Sequence, residues 1–170
     1  IQYRPDGNDF VCVNGKNRYT RALYGGITDF RIETSDRPVF ATYKPKDSKH
    51  ICFRLQCGNQ SIALDSLKFC EARYRAGRRT YRLTDPLLGK GELNISVLAF
   101  PDAEGGIWRF TMKDMPEGAL LHCYISEIRA KNLSRNGDMG ADRADSFDAP
   151  QLPKEQIHYK LSLDGTTAYI

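Results

Sequence analysis

Alternation of apolar and polar residues with period two runs through most of this chain and confines it to β architecture. Ile51, Phe53, Leu55 and Cys57 fall on one face of an extended segment, with His50, Cys52, Arg54 and Gln56 on the other, the pattern of a strand half-buried in a core. No run carries a helical stripe. Further strands are expected at 10–13, 16–21, 27–33, 39–43, 50–57, 61–65, 68–76, 79–84, 92–100, 107–113, 119–131 and 156–163. Gly25-Gly26, Pro38, Pro45 and Gly58-Asn59 break the runs, and turns recur every eight to twelve residues. Asn14-Gly15 marks a hairpin between the first two segments, because both residues tolerate positive φ. This rhythm predicts an all-β fold, an antiparallel β-sandwich of supersandwich-like design with one long loop.

At 170 residues the chain suits one domain over 1–170, able to bury roughly two thirds of its unfolded surface around a single core. No apolar run approaches the ~20 residues of a membrane span, so no membrane span is expected. The first residue is Ile1, and no basic and then apolar leader precedes the first strand, so any targeting peptide is expected to have been removed already. Five cysteines, Cys12, Cys52, Cys57, Cys70 and Cys123, cannot all pair with one another, and none sits at zinc-ligand spacing. Small, partly buried apolar groups or a single disulfide are the two readings, and no metal or other cofactor is expected.

Segment 132–155 has no steady period and is rich in Gly, Asp, Ala and Pro, marking a long loop of solvated or docking character. Its Asp138, Asp142, Asp145 and Asp148 lack the spacing of a calcium loop. After the Asp164-Gly165 turn a last strand over 166–170 is expected. Between Leu120 and Ile128 both faces carry apolar or aromatic groups: Leu121, Cys123 and Ile125 on one, Leu120, His122, Tyr124 and Ile128 on the other. Such a strand requires cover on both sides, from a crossing loop or from a domain beyond this segment.

Charge is concentrated between Lys68 and Gly91, where seven basic residues face Glu71 and Asp85. Arg73, Arg75, Arg79 and Arg82 form a candidate basic stripe, either an ordinary solvated face or a surface for an acidic polysaccharide or partner. Nucleic acid is not the expected partner, since its readers add aromatic stacking groups. His122 and Tyr124 complete the candidate ligand or docking surface. No catalytic residues declare themselves: there is no G-x-S-x-G elbow, His50, His122 and His158 suggest no relay, and Glu127 is expected to pair with Arg129. Leu88-Gly89-Lys90-Gly91 reads as a turn and not a phosphate loop. Trp108, Phe110 and Met112 share a face, expected to pack in the core, although exposed rings of this kind can stack on sugars.

The run Val13-Asn14-Gly15-Lys16-Asn17-Arg18-Tyr19-Thr20-Arg21-Ala22-Leu23-Tyr24-Gly25 resembles the opening of an uncharacterised domain found at the N-terminus of large bacterial proteins related to six-hairpin glycosidases. Phe30-Arg31-Ile32-Glu33 with Asp36-Arg37-Pro38, then Arg73-Tyr74-Arg75-Ala76-Gly77, Asp85-Pro86-Leu87-Leu88-Gly89-Lys90-Gly91 and Arg135-Asn136-Gly137-Asp138-Met139-Gly140 are similar to that family in content and order. The resemblance implies a β-sandwich preceding an (α/α)6-barrel catalytic module, in periplasmic or extracellular proteins of polysaccharide-utilising bacteria. It implies a non-catalytic structural or interaction domain of a larger carbohydrate-active enzyme, a glycoside hydrolase, whose partner is its own C-terminal catalytic domain. A freestanding carbohydrate-binding module that holds a polysaccharide is the alternative.

Overall fold

The computed structural model describes residues 2–27, 29–44, 48–130, 147–148, 162–164 and 167–169, with side-chain surroundings through residue 126. Two antiparallel sheets carry the fold, as the period-two pattern predicts, and no helix longer than a single 3-10 turn is present among these residues. The first sheet is six-stranded and contains β1 (Arg4–Asp6), β2 (Asp9–Val13), β8 (Phe69–Arg75), β9 (Arg78–Thr84), β10 (Glu92–Ala99) and β11 (Gly106–Lys113), in that order. The second is seven-stranded. It runs β13 (Phe147–Asp148), β12 (Leu120–Ala130), β6 (Ser48–Cys57), β5 (Val39–Tyr43), β4 (Arg31–Thr34), β3 (Arg21–Tyr24), with β7 (Gln60–Ala63) also pairing with β6. A separate hairpin joins β14 (Ser162–Asp164) to β15 (Thr167–Tyr169), close to the expected final strand.

The core lies between the sheets. Leu23, Ile32, Phe40, Ile51, Phe53 and Leu55 from the second sheet meet Ala72, Tyr81, Leu83, Leu93, Ile95 and Val97 from the first, all buried. Phe40 sits at the centre, edge-on to Phe53, Tyr81 and Trp108 with ring centroids 6.0, 5.7 and 5.8 Å away, an arrangement that aromatic quadrupoles favour. Trp108 and Phe110 therefore pack on the core as expected, whereas Met112 on the same face is exposed. All five cysteines are free, so the disulfide reading is set aside.

One turn assignment is overturned. Asn14 does adopt positive φ, at 51°, but no hairpin follows, because β2 pairs instead with β1 through a turn at Gly7 (φ 58°) and with β8. Residues 14–20 cross to the other sheet. Asn14 anchors the departure: its N–H donates to the Cys70 carbonyl at 2.7 Å and its Oδ1 accepts from the Cys70 N–H at 2.9 Å. The strand expected at 27–33 shortens to β4 for a similar reason, since the Gly26 N–H bonds the Pro101 carbonyl at 2.9 Å and a Cβ on Gly25 would come within 1.7 Å of the Phe100 carbonyl oxygen. The glycine pair is a close backbone approach between β3 and the end of β10. The 132–155 loop, its candidate calcium ligands apart from Asp148, and the Glu127 and Arg129 side chains lie outside the described residues.

Candidate functional site

The six residues singled out from sequence fall in three different places. β8 and β9 form a hairpin whose turn holds Gly77 at φ 78°, with Arg75 opposite Arg78, Arg73 opposite Thr80 and Glu71 opposite Arg82. Strand alternation then sends Arg73, Arg75 and Arg82 to the outer face of the first sheet and Arg79 inward. Arg79 is not part of the basic stripe. It is fully buried, so its expected surface role is corrected.

What Arg79 does instead is pin the two sheets together. Its Nη2 donates to the Tyr3 hydroxyl at 2.7 Å and to the Ser35 carbonyl at 2.8 Å, and its Nε faces the Tyr81 hydroxyl at 3.3 Å, which in turn donates to the same Ser35 carbonyl at 2.7 Å. Asp36, also fully buried, lies 3.9 Å from the guanidinium. Its carboxylate accepts from the Gln2 amide at 2.9 Å, the Asn17 N–H at 3.0 Å and the Thr20 hydroxyl at 3.0 Å, and also from the Tyr3 hydroxyl. A buried carboxylate this well solvated by donors needs no catalytic explanation. Arg37, the next residue, donates to the carbonyls of Gly15, Asp65 and Leu67 at 3.1, 3.0 and 2.7 Å. Asp36-Arg37 thus fastens the 14–20 crossing, the residues leading into β1 and the connection into β8. Burial raises the Tyr3 hydroxyl and pushes the Cys70 thiol up to about 12, so both stay protonated at neutral pH.

On the outer face, Arg73, Arg78, Arg82 and Arg109 surround a shallow depression of about 420 Å³ over β8 to β11. Its floor is made of short polar side chains, Thr80, Asn94 and Ser96. Arg73 is engaged by Asp6 at 2.9 Å and Glu71 at 2.8 Å, and Arg82 lies 3.4 Å from Glu71 and 3.5 Å from Glu92. The hydrogen bond from Arg73 holds the Glu71 carboxyl below its usual range. Arg75 sits outside the depression and bonds Asp9 at 2.7 Å.

His122 and Tyr124 occupy the outer face of the other sheet. His122 stands opposite Arg54 and its Nε2 is 2.9 Å from the Gln56 Oε1, while Tyr124 stands opposite Cys52 and is 43% exposed. Leu120 on the same face is 53% exposed, whereas Leu121 and Ile125 on the reverse face pack against the core. β12 is bonded to β6 along its length and to β13 only at Arg129 and Ala130, and β11 is the last strand of the first sheet. Among the described residues both strands present open edges, a feature that β proteins ordinarily cover.

Sequence reasoning missed the Arg79–Asp36 network. The signal was present, because alternation from Leu83 back through Tyr81 places Arg79 on the apolar face, where an arginine must be paired. The Asp85 segment behaves as the turn expected of it: the Asp85 side chain accepts from the Leu87 and Lys68 N–H groups at 2.9 and 2.8 Å and caps a 3-10 turn over Pro86–Leu88. No group of His, Cys, Asp and Glu that could hold a metal occurs among the described residues, and no helix there is long and apolar enough to cross a membrane.

Comparison with known proteins returns one family, described as a domain of unknown function, DUF4450, matched over residues 45–165. No curated protein and no solved structure matches the chain. The matched region contains the Arg73–Gly77, Asp85–Gly91 and Arg135–Gly140 segments, while the 13–25 and 30–38 segments precede it. With well over half of the chain covered by that match, the protein belongs to the DUF4450 family.

Proposed function

We propose that this chain is a non-catalytic structural and interaction domain of a larger, exported carbohydrate-active enzyme, a glycoside hydrolase, and that its β12 strand packs against an (α/α)6-barrel catalytic module. The observation that carries the reading is β12 itself: apolar on both faces, with Leu120 and Tyr124 exposed and its outer edge unpaired from Leu120 to Ile128 among the described residues. An interface of ~600–1,500 Å², usual between domains of one chain, would cover such a strand. The buried carboxylates support a scaffold over a catalyst, because Asp36 is committed to four donors and Glu33 is paired with Arg31.

The test is reassembly in trans. The barrel module and this chain, expressed as separate polypeptides, should co-elute in size-exclusion chromatography, and Tyr124→Glu with Leu120→Glu should separate them without unfolding the sandwich. Separate elution of the wild-type pair would refute docking. The freestanding carbohydrate-binding module draws on a different observation, the arginine-lined depression on the opposite sheet.

A further inference from the structure

We infer that the depression over β8 to β11 is a binding surface for an anionic, carboxylate-bearing polysaccharide. Arg73 and Arg82 are occupied by Asp6, Glu71 and Glu92, but the guanidiniums of Arg78 and Arg109, both exposed, make no hydrogen bond or salt bridge among the described residues. Two guanidiniums with no hydrogen-bonded carboxylate among the described residues, Arg78 feeling Asp9 only at longer range, therefore stand at the rim of one depression of about 420 Å³, and a planar carboxylate is the group a guanidinium fork engages in bidentate fashion.

The floor selects among anions. Arg109 stands opposite Ser96, and Ser96 opposite Thr80, so two hydroxyls lie side by side on β10 and β9, with the Asn94 side chain alongside. Hydroxyl and amide groups both donate and accept, which suits a ligand covered in hydroxyls. Of the aromatic residues only Tyr81 borders the depression, and it is buried at 2% exposure beneath the sheet, so neither base stacking nor pyranose stacking is available. Charge-assisted contacts to a uronate chain remain. The choice of carbohydrate rests on the proposed role in a carbohydrate-active protein, whereas the position and sign of the site rest on the sheet alone.

Isothermal titration of the full chain with oligomers of galacturonate, mannuronate and glucuronate, with a neutral glucose oligomer of equal length, and with poly-glutamate tests this. At least one uronate oligomer is expected to bind, weakening as salt rises because exposed charges are screened beyond ~8–10 Å. Arg78→Gln with Arg109→Gln should weaken it at least tenfold, while Arg75→Gln, outside the depression, should leave it within about twofold; circular dichroism confirms that each variant is folded. Absence of binding to all three uronates, equal binding of the neutral oligomer, tighter binding of poly-glutamate, or an unaffected double variant would each overturn the inference. Loss of uronate binding would leave docking through β12 standing, and failure of docking would leave this site standing.

Discussion

Replacing Arg79 by methionine should be among the most destabilising single changes in the sandwich. Methionine approximates the length of the arginine stem and fills the same apolar channel between Tyr81 and Tyr3, so the loss is confined to the guanidinium. Three hydrogen bonds disappear, to Tyr3, Ser35 and Tyr81, and the buried Asp36 carboxylate loses the positive charge 3.9 Å away. Breaking a buried ion pair from one side costs about 3–5 kcal/mol, which for a domain of this size lowers Tm by about 6–20 °C. Asp36 keeps its four donors, which argues for the lower half of that range. Arg79→Lys keeps the charge but cannot fork between Tyr3, Ser35 and Tyr81, so about 1–3 kcal/mol is expected. Thermal and urea unfolding followed by circular dichroism give both values. A Tm within about 2 °C of wild type for Arg79→Met would show that the guanidinium does not hold the sheets together.

Gly15→Ala should cost about 1–3 kcal/mol by overpacking, measured by urea unfolding, because the new Cβ would lie 2.5 Å from Asp36 Oδ2 and 2.6 Å from Cys12 Sγ. The His50 imidazole is held below its usual value, first by burial and then by Arg18, so the unfolded chain takes up its proton before the folded one does. Stability from this group is complete above pH ~6.5 and is lost as pH falls toward the folded value; Tm measured between pH 8 and pH 5 should drop more steeply in wild type than in His50→Gln. The isolated chain should release no chromophore from chromogenic glycosides, and turnover abolished by Glu127→Gln in a folded protein would contradict the scaffold role.

Architecture was legible because alternation is a local property: the 39–43 segment is β5 residue for residue, and 107–113 differs from β11 by one residue. Partner choice was not. Asn14-Gly15 carries the chemistry of a hairpin turn, yet the bonds of Asn14 to Cys70 and the packing of Gly15 against Asp36 route the chain to the other sheet, and those partners lie 56 and 21 positions away. The candidate site divided along the same line. Composition found the basic hairpin, but treating Arg79 and Arg82 as one stripe ignored that residues three apart on a strand point to opposite faces. Arg109, which completes the depression from β11, is remote in sequence and becomes a neighbour only through the pairing of β10 with β9 and β11.

Docking through β12 is tested most directly by hydrogen exchange, comparing this chain alone with the same chain joined to the barrel module proposed for it. Amides of β12 that face its open edge should exchange at least tenfold more slowly in the joined protein, with those of β9 and β10, already paired on both sides, unchanged. Equal exchange at β12 in both proteins, with the barrel present and folded, would contradict the docking role.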